Sequence, residues 1–256
     1  MPRDWLRALY HRFPSGPRET LRPLAAWVRR RLDPELRARE DWVHNDYSRF
    51  GYETRAQIFL SIARFCQINR PIEGYYFEFG CHSARTMKLA WKHSRYLFDW
   101  TYVGFDSFEG LPEIENIDRQ AIWEKGKLKT AEEEFIRDVT RAGMPRDRLI
   151  TVKGFYDDSL TPALAQSLLP RKAAAIYVDC DLYASTVPVL RFIRPFLQPG
   201  TIIVFDDWNC FYGDPEKGER RAWAEFTGAN PTLRFEPFVA TNEAQSFIFL
   251  GERTDP

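Results

Sequence analysis

From residue 75 onward, short runs of aliphatic, β-branched and aromatic residues alternate with longer segments whose apolar positions recur at helical spacing. The runs Tyr75–Phe79, Thr101–Phe105, Leu149–Gly154, Ala173–Asp179, Thr201–Asp206, Phe235–Ala240 and Ser246–Leu250 read as strands. Several are continuously apolar rather than alternating, the pattern of parallel strands covered on both faces. Between them lie helix signals. Ser83 precedes an apolar-periodic segment reaching about Tyr96, and Thr130 with Glu133 has the form of a capping box ahead of Phe135 and Val139. Ser185 begins a further helix with Pro188 in its first turn, and Pro199-Gly200 turns into the next strand. This alternation predicts an α/β fold, a doubly wound and mostly parallel seven-stranded sheet. Only Thr241–Gln245 separates the last two runs, so they are expected to form an antiparallel hairpin at the sheet edge.

The first 74 residues lack the alternation and read as a helical N-terminal extension, with Ala56–Ile68 the strongest segment. Two parts are therefore expected, a helical arm and cap over 1–74 and the α/β domain over 75–256. Residues 111–129 are long and polar for an α/β connection, and loops of that length commonly serve as lids. The formal net charge is zero, which gives no reason to expect a nucleic-acid partner. No apolar run reaches the roughly 20 residues a bilayer span requires. The four cysteines form no CxxC pair, and Met1–Leu21 has no continuous apolar stretch of the signal-peptide kind, so a reduced, cytoplasmic protein is expected. In the arm, arginines from Arg3 to Arg39 outnumber acids, and Leu21, Leu24, Ala25, Val28 and Leu32 recur at helical spacing. Such a helix would pack on its own domain or on a second copy in a homo-oligomer, with weak membrane-surface contact as the alternative.

Ligands of open α/β sheets bind at the carboxyl ends of the strands, so what each strand ends on carries the chemistry. All five parallel strands end in or beside a carboxylate. The first turn has a lone glycine, Gly80, and neither a dinucleotide GxGxxG nest nor a P-loop follows it. Asp106, ending the second strand, suits the two hydroxyls of a ribose. A ribose-binding acid without a phosphate nest points to a nucleoside lacking phosphates, of which S-adenosylmethionine is the common one. Asp179, Asp206 and Asp207 end the fourth and fifth strands. If those strands are neighbours, the three carboxylates repel unless a cation sits among them, and oxygen-only ligands favour Mg²⁺. Asp181, just ahead of a helix, could cap it instead.

The segments "VGFDSFEGLPE", "VKGFYDDSL", "VDCDLYASTVPVL" and "PGTIIVFDDW" resemble, in order and separation, the macrocin O-methyltransferase family over roughly residues 75–210. The resemblance implies a Rossmann-like class I methyltransferase that uses Mg²⁺ and S-adenosylmethionine to methylate sugar hydroxyls of natural products. It implies that Glu78 and Gly80 line the methionine end of the cofactor and that Asp106, with Ser107 beside it, holds the ribose. Gly154 and Tyr156, with Asp157 or Asp158, would border the adenine. Asp179, Asp206 and Asp207 match the metal ligands, with Asp179 also the general base. The turn His82-Ser83-Ala84-Arg85 departs from the family's glycine-richer pattern, and the acceptor is a small-molecule hydroxyl that the resemblance does not specify. His82 is a rival base, since it sits on the rim turn. Two other readings stay open: a metal-dependent glycosyltransferase using the Asp179-Cys180-Asp181 triplet, and a non-enzymatic adaptor on the same sheet.

Overall fold

The computed structural model describes Trp27, Arg31 and residues 33–69 and 72–253, and the expected strands all form. They are β1 (Tyr75–Phe79), β2 (Thr101–Asp106), β3 (Leu149–Lys153), β4 (Ala173–Val178), β5 (Ile202–Phe205), β6 (Leu233–Ala240) and β7 (Gln245–Glu252). They make one seven-stranded sheet in the order β3-β2-β1-β4-β5-β7-β6. The first five are parallel, whereas β7 runs antiparallel to both β5 and β6. The expected edge hairpin is therefore present. The chain winds outward from β1 to β3, then returns to β4 on the other side of β1. This reversal leaves a crevice at the carboxyl ends of β1 and β4.

Both faces of the sheet are covered, which is why the strands read as unbroken apolar runs. On one face Tyr76, Tyr102 and Tyr177 are buried against α2 (Ser48–Ile68), α3 (Arg85–Ser94) and α4 (Glu132–Arg141). On the other, Phe77, Phe79, Phe105, Val178 and Phe205 pack against α5 (Tyr156–Ser159), α6 (Pro162–Leu168), α7 (Tyr183–Ile193) and α8 (Gly218–Ala229). Phe79 stacks on Phe105 with ring centroids 4.4 Å apart, directly beneath the crevice. Each such ring contributes about 1.5–3 kcal/mol by leaving water.

The chain divides into two compact units, and the division falls between Thr54 and Arg55, inside α2. The physical reason lies in the second half of that helix. Ile58, Phe59, Ile62, Ala63 and Cys66 form one buried stripe, and Phe59 stacks on Tyr177 of β4 at 5.4 Å. In the N-terminal unit, α1 (Pro34–Trp42) is capped by Asp33, whose side chain accepts from the Leu36 amide at 3.0 Å. The expected stripe Leu21, Leu24, Ala25, Val28 and Leu32 lies outside the described residues. No helix among the described residues is long and apolar enough to cross a membrane.

Local signals were less reliable than the strand pattern. Helix α4 begins at Glu132 without a side-chain cap, and the Thr130 hydroxyl instead lies 3.4 Å from the His82 ring. Helix α7 begins at Tyr183, ahead of Ser185, and carries Pro188 in its interior.

Candidate active site

The parallel ladder continues one residue beyond the strands and sets their ends abreast. Gly80 donates to the Phe105 carbonyl at 2.9 Å, Asp179 to Phe79 at 2.8 Å, Asp206 to Val178 at 2.9 Å, and Gly154 to Asp106 at 3.0 Å. The rim therefore reads Gly154, Asp106, Gly80, Asp179, Asp206 across five strands. Above it lies a cavity of about 510 Å³. Gly80, Asp106, Ser107, Gly154 and Tyr156 line one part of it. Asp179, Asp181, Asp206 and Asp207 line another.

Gly80 has a positive φ of 87°, and a Cβ there would meet the Asp179 carbonyl oxygen at 1.8 Å. Only glycine lets the β1 turn pass under β4 so closely. The turn is then tied to β2. Asp106 Oδ2 accepts from the amides of Cys81 at 2.7 Å and His82 at 3.2 Å, while Oδ1 accepts from Phe108 at 2.6 Å. With roughly four acceptor positions on a carboxylate, these bonds leave Asp106 about one for a ligand hydroxyl. His82, Ala84 and Asp181 all have positive φ values, 29°, 57° and 61°, so backbone strain gathers around the cavity.

The acids sort differently from the expected metal set. Asp206 is claimed by protein cations and donors. Arg55 of α2 donates from Nη2 to Oδ2 at 2.6 Å and from Nε to Oδ1 at 3.2 Å, and the Tyr177 hydroxyl donates to Oδ1. The carboxylate oxygens that gather within 4.8 Å of one another belong to Asp179, Asp181 and Asp207. Burial, then the neighbouring Asp206 and Asp207, push the Asp179 carboxyl well above the usual range. Burial and Asp207 do the same to Asp181. Asp207 is pushed up to about 6, chiefly by burial, and its Oδ2 is buried with no hydrogen-bond partner. Three oxygen donors, mutually repelling and one of them orphaned, fit a hard divalent cation.

Asp181 does not cap α7. That task falls to Asp118 in the 111–129 loop, whose carboxylate accepts from the amides of Tyr183 at 2.8 Å and Ala184 at 3.0 Å. Nothing local in the sequence marks Asp118 for this, because its partners lie more than sixty residues away. Glu219 was missed as well, although its partner lies only 12 residues upstream. It is buried at the start of α8 and accepts from the Asp207 amide at 3.0 Å. Glu78 lies under the rim, fully buried, accepting from the Tyr76 hydroxyl at 2.6 Å, and burial raises it to about 8. Asp157 lines the cavity, and Asp158 is not among its lining residues. The His82 ring donates to the Leu128 carbonyl at 2.8 Å, holding the end of the loop. Trp123, from the same loop, lines the cavity.

Residues 19–232 match the family model described as macrocin-O-methyltransferase (TylF). One curated relative, 8-demethyl-8-(2,3-dimethoxy-alpha-L-rhamnosyl)-tetracenomycin-C 4'-O-methyltransferase of Streptomyces olivaceus, is 32% identical over 109 residues. A second, mycinamicin III 3''-O-methyltransferase of Micromonospora griseorubida, is 28% identical over 111 residues. The first alignment spans 40% of this chain and 40% of the relative; the second spans 40% and 42%. The chain thus spans about two fifths of the length of the curated relatives it matches. Among solved structures, the O-methyltransferase NovP superposes with a TM-score of 0.63 at 19% identity, covering 77% of this chain and 80% of that one. The calicheamicin methyltransferase CalS11 also gives 0.63, at 20% identity, covering 96% and 90%. These superpositions establish the class I methyltransferase fold, and with the family match they show that the chain belongs to the macrocin-O-methyltransferase family.

Proposed function

We propose that this chain is an S-adenosylmethionine-dependent O-methyltransferase whose acceptor is a sugar hydroxyl of a natural product and whose acids hold Mg²⁺. The observation that carries the reading is the single cavity in which a glycine turn and Asp106 adjoin a cluster of three carboxylates. The relative from Streptomyces olivaceus is named for a rhamnosyl-bearing compound, and carried to this chain that name points to a sugar.

When bound, S-adenosylmethionine supplies a methyl group already activated on sulfonium, so the protein has mainly to bring a nucleophile in line with it. A divalent cation supplies charge that lowers the pKa of a coordinated hydroxyl. In this reading Gly80 allows the close approach of the cofactor, Asp106 receives a ribose hydroxyl, and Gly154 and Tyr156 border the base. Asp179, Asp181 and Asp207 hold the cation. Asp206 stays with Arg55 and Tyr177 and fixes the end of β5. Asp179 takes the proton from the acceptor hydroxyl, because it lies between the glycine turn and the other acids on the rim. No lysine follows Asp179 to compete for that role, and the His82 ring is engaged by Leu128.

Calorimetric titration with S-adenosylmethionine, with and without Mg²⁺, tests the reading. Binding is expected, and Asp106→Ala should weaken it by about 1.5–3 kcal/mol, the range for hydrogen bonds to charged groups. Metal-stimulated binding of a nucleotide sugar, with none of S-adenosylmethionine, would overturn it.

A further inference from the structure

Beyond the contact of the His82 ring with the Leu128 carbonyl at its end, the 111–129 loop is held at two places. At its neck, Leu111 donates to the Lys127 carbonyl at 2.9 Å and Gly126 donates back to Leu111 at 3.0 Å. Away from the neck, a single turn of 3-10 helix (Asn116–Asp118) carries Asp118, which is fully buried although the residues around it are largely exposed. The Asp118 carboxylate spends both oxygens on the first two amides of α7. Those amides follow Asp181 by only Leu182, so the same contact fixes the end of the acidic loop. Between the two anchors the loop presents Glu113, Glu115 and Trp123 to the cavity. The ion pairs along this stretch, Lys125 with Glu113 at 2.6 Å and Lys127 with Glu124 at 3.0 Å, are between exposed side chains and hold little.

We propose that Asp118 is a positioning residue, a latch that closes the 111–129 lid over the cavity by docking it on the N-terminus of α7 and that ties lid position to the Asp179–Asp181 loop. A buried carboxylate at a helix N-terminus serves both partners. It satisfies amides that would otherwise be orphaned, and it is stabilised by the helix dipole. Buried charge also makes the arrangement nearly all-or-none, since a displaced lid leaves both helix amides unpaired at once. The lid's inner wall is thereby set in part by a side chain that does not itself line the cavity. This inference deepens the proposed function and rests on it for the identity of what the cavity holds.

Limited proteolysis of the full chain under native conditions tests it, because trypsin can cut the lid at Arg119, Lys125, Lys127 and Lys129. Cleavage there reports the population of the open lid when opening is fast. Loss of two hydrogen bonds to a charged group in Asp118→Ala should raise lid cleavage by at least about tenfold. Asp118→Asn keeps the shape and one good acceptor and should fall between the two, so it serves where the alanine variant does not fold. Thr161→Ala is the control. It removes a different helix cap, the one Thr161 makes to the Leu164 amide at 3.2 Å, and should leave lid cleavage unchanged while lowering stability comparably. Lid cleavage in both Asp118 variants no faster than in Thr161→Ala would overturn the latch. Binding of S-adenosylhomocysteine to the wild-type chain is measured in parallel. Its absence would defeat the reading of the cavity, a failure that the cleavage rates would not share.

Discussion

At Asp206 the carboxylate meets a guanidinium and a phenol, whereas the next carboxylate, Asp207, meets other acids. Chain neighbours thus have opposite energetics. Asp206→Asn takes a charged partner from the partly buried Arg55, which also lies 3.4 Å from Glu243, and should cost about 2 kcal/mol of stability. Asp207→Asn removes a charge that the folded state holds at a disadvantage, so in chelator at neutral pH it should be at least as stable as wild type. The same variant should bind Mg²⁺ more weakly, whereas Asp206→Asn should lose stability and keep most of its metal affinity. Denaturant unfolding with and without Mg²⁺ separates them. Equal stability losses in the two variants would show that the acids are not divided in this way. From sequence the pair reads only as two adjacent acids, because the guanidinium that distinguishes them comes from 151 residues upstream.

The elements that build the site are five strand ends in register and one turn. The register follows from parallel pairing, and the turn depends on Gly80. Alanine there needs both a strained φ and a carbonyl displaced from 1.8 Å, on the strand that carries Asp179. Gly80→Ala is expected to cost about 3 kcal/mol or more, above the usual overpacking range, because backbone must move on two strands. Gly126→Ala provides the comparison: its φ is also positive, but no atom lies within 4 Å of the added carbon. It should cost only the smaller conformational penalty. Similar denaturation midpoints for the two would place the strain elsewhere. Gly80 could be picked out from its position after a strand; that its neighbour would be β4 could not, since strand order is absent from the local pattern.

Over the whole molecule, the buried acids make stability a function of pH. Glu78 rises from its ordinary 4.5 to about 8 and Asp207 from 3.8 to about 6, burial being the first cause in both. Below the ordinary values, both states hold the protons and the groups contribute no pH dependence. Above them the unfolded chain loses its protons first, so stability falls as pH rises, by up to about 1.4 kcal/mol per unit for each group. The fall from Asp207 ends near its folded value of about 6 and that from Glu78 near about 8. Glu78→Gln should therefore gain on wild type as pH rises from about 5 to about 8. Unfolding free energies measured across that range in chelator check it, and parallel curves would remove Glu78 from the account.

Strand identity, the parallel sheet and the acids at its rim were legible in the sequence, because burial on both faces writes itself as unbroken apolar runs and function at strand ends interrupts those runs with charge. Ile176 to Val178 followed by Asp179, and Ile202 to Phe205 followed by Asp206, carry that message within a few residues. The family's motifs lie in the same segments. What the tertiary structure alone decided is which acid meets which partner. Arg55 neutralises Asp206, Asp118 caps α7 where Asp181 might have done so, and Asp181 turns to join Asp179 and Asp207. Each of these outcomes depends on a group far away in the chain arriving at bonding distance, and electrostatic interaction is set by that distance rather than by position along the chain.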